Sequence, residues 1–283
     1  MILTSNMLIY LIYINKIKLF KDVLMKIFFL LFIVFFSSTY ASVIKLIAVN
    51  NCPYSCSEDE KDQGFAVDLI REVFKRNGYE ISYQSFESHE LALENIKEGS
   101  SDIMIDVDPV KNRDLIFMKT PLGYQHNVIV TPTYSKWKYT SPESLASLKL
   151  AAIEEETYTN EIAKYIEKNR ADDSKLIITS GHLARKHNLK SLRFEKITAL
   201  IDDRIALRYF YFKKHKPFAF KVAYTAPSKA IYIAFSAKSY RSNKYTEILH
   251  RGLKRLENSK RAKEIFKKYG LSEAYIRPLV KAH

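Results

Sequence analysis

The chain has only two cysteines, one tryptophan, seven glycines and eight prolines among 283 residues. So little glycine and proline excludes a collagen-like or linker-type chain. Two cysteines, with no second pair and no histidine near them, cannot complete a zinc set. His89, His126, His182, His187, His215, His250 and His283 are scattered without ligand spacing. No Ser–His–Asp set, phosphate-binding loop, zinc-finger spacing or RNP-like aromatic motif is present. What is present is 47% apolar and 27% charged residues. That composition excludes global disorder and provides for a buried core in one or two domains, at roughly 100–200 residues each.

Met25-Lys26 precedes ten unbroken apolar residues, Ile27 to Phe36, and then Ser37-Ser38-Thr39-Tyr40-Ala41. A basic start, an apolar stretch and a small-x-small exit describe a secretory signal peptide, with Thr39 and Ala41 at −3 and −1 and Ser42 as the first mature residue. Ten apolar residues fall short of the ~20 that a membrane-spanning helix needs, although an uncleaved anchor is the competing reading. Leu8 to Ile14 is a second apolar run, separated from the first by Asn15, Lys16, Lys18, Lys21 and Asp22. Translation is therefore expected to start at Met25.

The formal charge of +14 points toward nucleic acid until export is considered. Residues 42–283 keep 41 basic and 30 acidic groups, and a cytoplasmic nucleic-acid role does not fit a secreted chain. Ten basic groups against three acids lie between Arg251 and Lys281. They read as a solvated basic face on two amphipathic helices, with docking to an acidic surface as the alternative. Cys52 and Cys56 sit in Asn51-Cys52-Pro53-Tyr54-Ser55-Cys56. In an oxidising compartment they are expected to pair and stiffen the loop after the first strand. No lipobox-like Leu-x-x-Cys precedes Cys52.

Apolar runs and punctuation give an α/β order. Val43–Val49, Tyr79–Gln84 and Ile103–Ile105 read as strands. Between them run a helix over Val67–Arg76, ended by Asn77-Gly78, and one capped by Ser88 with Leu91, Leu93 and Ile96 inward, ended by Gly99. The same grammar restarts with Ser141-Pro142-Glu143 as an N-cap. It continues with a strand at Lys149–Ile153, a helix capped by Thr157 or Thr159 through Asn169, and a strand at Leu176–Ile178. A helix opening at Ser180 toward Leu189 follows, then a strand at Ile197–Ile201 and Asp203 capping a helix over Arg204–Lys214. Ala230–Phe235 reads as one strong strand, before helices at Lys244–Glu257 and Lys260–Tyr269. The chain crosses between two α/β blocks near His126–Thr133 and returns after Pro227. Two lobes with two crossings make a hinged cleft, where small-molecule sites concentrate.

These segments resemble the family 3 bacterial extracellular solute-binding proteins, the polar amino-acid type of ABC-transporter substrate-binding protein. The resemblance spans nearly all of residues 44–272. It is carried by Gly64-Phe65-Ala66-Val67-Asp68-Leu69-Ile70, by Leu93 to Asp102, by Arg113 through Pro121, by Ile231 to Ser236 and by Lys268-Tyr269-Gly270-Leu271. Cys52 to Cys56 and Ser135 to Tyr139 are similar to a subgroup with "CPYxC" and "WxY" elements, whose members lack an obvious transporter partner. The resemblance implies an α/β, two-lobed type II periplasmic-binding-protein fold with two hinge crossings and no catalysis. Behind a signal peptide of residues 1–41, residues 42–128 with 230–283 form lobe 1 and 129–229 form lobe 2. It also implies a periplasmic monomer that needs no cofactor or metal and hands a small polar solute to an inner-membrane permease or a sensor.

A free amino acid brings a carboxylate and an ammonium, and each needs a partner once water is excluded. The resemblance places Arg113 at the carboxylate, as a bidentate fork, and Asp203 at the ammonium. A surface arginine and a plain helix cap are the respective alternatives. Thr157 is expected at a helix N-terminus that favours an anionic group, with capping as its equal competitor. Phe86 takes the aromatic position against the ligand's side chain, and Tyr54 and Phe65 line the same wall or belong to the core. Trp137, near the crossing, reads as a packed hinge residue or a reporter of closure. The chain departs from the family at Asp106-Val107-Asp108-Pro109 and at Glu154-Glu155-Glu156. Extra carboxylates there, Asp108 among them, favour a cationic ligand such as a basic amino acid or a polyamine; the same changes also allow a pocket that binds nothing small. The competing functions are a dehydratase- or lyase-like enzyme on this fold, with Asp108 and Glu156 as an acid–base pair, and an interaction module using the basic C-terminal helices.

Overall fold

The computed structural model describes residues 42–154, 156–158, 160–181 and 183–271, with positions 16, 20, 21, 25 and 26 before them. The apolar run at 27–36 and its exit at 37–41 lie outside the described residues, as do Thr159, Glu155 and the basic positions 277 and 281.

The first sheet has the order β2-β1-β3-β12-β4, from β1 (Ser42–Val49), β2 (Tyr79–Phe86), β3 (Ile103–Ile105), β4 (Ile116–Phe117) and β12 (Ile233–Phe235). β1 runs parallel to β2 and β3, and β12 is antiparallel to β3 and β4. Alternation along the strands assigns two faces. Ile44, Leu46, Ala48, Ile103, Ile105, Ile233 and Phe235 pack against α1 (Phe65–Lys75), α6 (Ser242–Leu256) and α7 (Lys260–Lys268). Ile47, Met104 and Ala234 turn to the other side, onto Ala92 and Ile96 of α2 (His89–Glu98). Burial of each such large side chain contributes about 1.5–3 kcal/mol.

The second sheet, β10-β6-β9-β7-β8, contains β6 (Asn127–Pro132), β7 (Leu150–Ile153), β8 (Leu176–Thr179), β9 (Ala199–Asp203) and β10 (Phe220–Thr225). Ile129, Leu150, Ala152 and Ile201 face Ile162 and Ile166 of α3 (Asn160–Asn169), while Val128, Val130, Ala151 and Leu200 face α4 (Ala184–Arg193) and Leu207 of α5 (Arg204–Phe212). A two-stranded antiparallel ribbon, β5 (Gly123–Gln125) with β11 (Lys229–Ile231), lies where the chain passes from one sheet to the other and back.

Two expected caps are made, Ser88 and Asp203 accepting from the backbone N–H groups of Leu91 and Ala206, and Ser259 likewise accepts from Ala262 at the start of α7. Other expectations need correction. Ala230–Phe235 is two strands in two sheets, because the chain changes partners at Tyr232, whose carbonyl accepts the Asp106 and Val107 N–H groups. Ser141 caps nothing with its hydroxyl, since only a 3-10 turn at Pro142–Ser147 follows, with Ser144 N–H on the Ser141 carbonyl. α4 opens at Ala184 rather than Ser180, after Gly181 takes the left-handed turn at φ 77°. Of the two positions offered for the start of α3, Thr157 is too early: the helix opens at Asn160, and the Tyr158 hydroxyl folds back onto the backbone of Ile153 before it. Leu91 is exposed, as the Ser88 cap phases α2 so that Ala92 and Ile96 point inward.

Candidate functional site

The C-terminal ends of β1, β3, β7 and β9 and the ribbon converge on one buried polar cluster. The loop after β1 is shaped by the Cys52–Cys56 disulfide, by Asn51 N–H on the Ser55 carbonyl (2.6 Å) and by Ser55 Oγ on the Val49 carbonyl (2.8 Å). α1 begins directly on this loop: Phe65 N–H and Ala66 N–H donate to the carbonyls of Pro53 (2.8 Å) and Tyr54 (3.1 Å). Gly64 is the residue that permits the approach. It sits at φ 111°, and a Cβ there would lie 2.3 Å from the Tyr54 carbonyl oxygen.

Tyr54, thereby fixed, is 3% exposed and stacks obliquely on Phe65 at 4.9 Å between ring centroids. Its hydroxyl donates to both oxygens of Asp203 at 3.2 Å. Burial foremost, then the Asp203 charge, holds the phenol well above its ordinary pKa, so it remains a donor. Asp203 closes β9, is fully buried, and also accepts the Ala206 N–H at 2.8 Å. Burial pushes its carboxyl up to about 6, helped by Asp202 and opposed by the Ala206 N–H, Arg185 and Tyr54.

Asp202, 1% exposed, is gripped by Arg185 from α4, with Nε at 2.7 Å and Nη2 at 2.8 Å on its two oxygens. Arg185 Nη2 reaches Glu156 Oε1 at 3.4 Å, and Gln125 Nε2 of the ribbon donates to Glu156 Oε2 at 3.3 Å. The Glu156 carboxyl is pushed up to about 7, by burial first and by Asp202 next, with Arg185 and Lys229 easing the effect. Lys229, on the ribbon, pairs with Asp106 after β3 at 3.2 Å. Asn127, opposite Asp203 in the β6–β9 register, donates Nδ2 to the Thr157 carbonyl at 2.8 Å. Its Oδ1 is buried with no partner.

The structure thus brings Tyr54, Asp203 and Glu156 together and separates the other candidates from them. Phe65 lies beneath Tyr54 but packs into the core with Phe266 and Tyr269. Phe86, at the end of β2, is half-buried with Val49, Leu93 and Phe117. Asp108 is exposed and accepts the Val110 N–H in a local turn. Thr157 is exposed and offers its carbonyl to Asn127. Arg113 is exposed on the loop before β4. Glu154 points outward to Arg170 at 2.8 Å. Sequence reasoning missed Arg185, Gln125, Asn127 and Lys229, which have no local signature. The Asp202-Asp203 doublet at a strand end was the one available signal. A groove of about 230 Å³ between α1 and α7 is lined by Asp68, Glu72, Arg261 and Lys268. Its charges are already matched, Arg261 on Glu72 and Lys268 on Asp68 at 2.9 Å each, so it competes poorly as a site.

Residues 44–272 match the family described as bacterial extracellular solute-binding proteins, family 3. The fold is similar to substrate-binding domain 2 of Lactococcus lactis GlnP in its open conformation (18% identity, TM-score 0.59, covering 82% of this chain and 97% of that one). It is also similar to the P235GK mutant of ArgBP from T. maritima (18%, 0.57, 81% and 95%). A third likeness is a histidine kinase sensor domain with similarity to periplasmic binding proteins (15%, 0.59, 81% and 96%). No curated protein matches the chain in sequence. At these identities the likeness establishes the architecture, a two-lobed type II periplasmic-binding-protein fold.

Proposed function

The chain belongs to the family 3 bacterial extracellular solute-binding proteins, and on that premise we propose that it captures a small, positively charged polar solute, an amino acid or related cation, between its two lobes. The observation that carries this reading is the Tyr54–Asp203–Glu156 cluster with the unanswered Oδ1 of Asn127 beside it. Residues 42–128 with 230–283 act as one lobe and 129–229 as the other, the β5–β11 ribbon hinging them. A solute ammonium entering this cleft meets carboxylates in a site from which water is largely excluded, where a paired charge is strongly favoured over an unpaired one. Asp203 and Glu156 hold the cation, Tyr54 orients Asp203 from the opposite lobe, and Phe86 borders the opening.

The protein works outside the cytoplasm after export, as a monomer, and passes its solute to an inner-membrane ABC permease or to a sensor. No cluster step calls for a cofactor, and the site binds rather than transforms.

A thermal-shift panel on protein unfolded and refolded to shed bound solute tests the reading. A solute at 100 times its Kd adds about 2.7 kcal/mol, worth roughly 5–10 °C at this size. Such a rise with a cationic solute, absent in Asp203→Asn, is expected. A folded protein whose melting point no amino acid, amine or small acid raises refutes it.

A further inference from the structure

We propose that the second lobe carries a docking face for an anionic lipid surface, built from the ends of α4 and α5 and the start of β10. The proposal is independent of which solute the cleft takes. From Arg204 to Thr246 the sequence holds no acid in 43 residues, against ten lysines and arginines. The first 18 of these, Arg204 to Lys221, carry six basic and six aromatic side chains. The basic helices after Arg251 differ: their described aromatic residues, Phe266 and Tyr269, are buried in the core.

Folding gathers the rings and leaves them partly open. Tyr211 meets Phe218 at 5.5 Å, Phe210 at 5.8 Å and Phe220 at 6.2 Å between centroids, all close to edge-on. Each of these four rings is only half-buried. Arg208 lies 5.0 Å over Phe218, and Lys214 lies 3.8 Å over Phe210. Phe194 is 61% exposed, directly after Arg193, whose charge acts on the Tyr211 phenol. Lys214 and Lys216 stand in solvent past the end of α5 and, among the described residues, pair with no acid. Glu195 and Glu60 border the face and are engaged, on the Tyr134 hydroxyl at 2.5 Å and on Lys213 at 4.0 Å.

Lysines alone would suit any acidic partner. Lysines around half-exposed rings suit a boundary where an apolar layer lies beneath a plane of phosphates: the rings enter it and the amines stay at the phosphates. The rings lean edge-on against one another, with Arg208 and Lys214 over two of them, so they offer poor platforms for stacked bases. The face is also set apart from the cleft. α5 leaves Asp203 and its nine residues carry the chain about 13 Å away, at 1.5 Å per residue.

Co-sedimentation with vesicles tests the proposal, using phosphatidylglycerol and phosphatidylcholine in equal parts against phosphatidylcholine alone. Residues 42–283, a compact unit by themselves, are used because the apolar run at 27–36 would itself bind lipid. Binding is expected to the anionic vesicles only, at least about ten-fold weaker in 500 mM than in 50 mM salt. At about five-fold per basic residue, Lys214→Glu with Lys216→Glu should weaken it about ten-fold or more. Phe194→Ala should weaken it about three-fold or more through lost apolar burial. Lys254→Glu with Arg255→Glu makes the same change in net charge on α6 of the other lobe and should cost less than about three-fold. Circular dichroism verifies that each variant is folded. Equal losses in the two double variants, a Phe194→Ala that binds like wild type, or equal binding to both vesicles overturns the proposal. Protein that ignores both vesicles also overturns it, and its retention on immobilised polyglutamate would assign the face to an acidic protein instead.

Discussion

Replacing Glu156 by glutamine removes a charge that its buried surroundings disfavour, and its consequence depends on pH in a defined direction. Burial and the Asp202 charge raise this carboxyl from an ordinary 4.5 to about 7. The folded state therefore holds a proton that the unfolded chain has already released between those values. Stability linked to this group is fully present below pH ~4.5 and is lost as pH rises through ~7. At 1.36 kcal/mol per pKa unit the full loss is about 3 kcal/mol. The side chain retains 11% exposure and shares Arg185 with Asp202, so a loss of about 1–3 kcal/mol is the working figure. Glutamine keeps the shape and its Oε1 can still accept from Arg185, while the Gln125 amide must turn its oxygen toward the new NH2; the side chain carries no charge. Urea unfolding of wild type and E156Q at pH 5, 6, 7 and 8, at fixed ionic strength, gives a difference in which the chain's other titrations largely cancel. E156Q is expected to gain on wild type steadily from pH 5 and to lead by about 1–3 kcal/mol at pH 8, or roughly 3–10 °C in Tm. A constant difference across that range, or an E156Q that loses ground as pH rises, refutes the placement of Glu156 in a buried acidic cluster.

Three other perturbations follow from the geometry. Replacing Cys52 and Cys56 together by serine opens a link between residues four apart; chain entropy gives about 2 kcal/mol for so short a loop, and an unchanged urea midpoint would contradict that. Gly64→Ala forces a Cβ to 2.3 Å from the Tyr54 carbonyl at φ 111°. It should cost about 3 kcal/mol and weaken amine binding by displacing Tyr54, both measurable on one preparation. At Gly252 a Cβ would lie 2.2 Å from Val73 Cγ1, so Gly252→Ala should lose about 1–3 kcal/mol through overpacking. Adding Val73→Ala should return part of that loss in a double-mutant cycle.

Much of the fold was legible because local signals and tertiary structure agree in it. Val43–Val49, Ile103–Ile105 and Leu176–Ile178 are short apolar runs between turn residues, and each lies in a strand, Ile103–Ile105 buried throughout. Ser88, Asp203 and Ser259 cap because a short oxygen-bearing side chain precedes an amphipathic run. The failures occur where distant contacts decide. Nothing local in Ala230–Phe235 marks Tyr232 as the point where the chain leaves the β5 ribbon for the first sheet. Thr157 looked like a cap until the Tyr158 hydroxyl claimed the Ile153 backbone. Trp137 illustrates the same limit: it lies against the second lobe's core, with Nε1 on the Ser144 carbonyl at 3.2 Å. In the site, Asp203 and Tyr54 carried readable signals, a strand-end acid and an aromatic in a braced loop. Arg185 lies 17 residues before Asp202 in a helix of ordinary composition, and only folding reveals that it neutralises that acid.

The central claim, that the acidic cleft is where the solute sits, is tested most directly by a crystal structure of the protein with the solute that raises its melting point most. The account predicts a solute nitrogen within hydrogen-bond distance of Asp203, Glu156 and Asn127 Oδ1, with Arg185 still on Asp202. A solute seated elsewhere, in the groove between α1 and α7 for instance, with Asn127 Oδ1 still unpartnered, would contradict it.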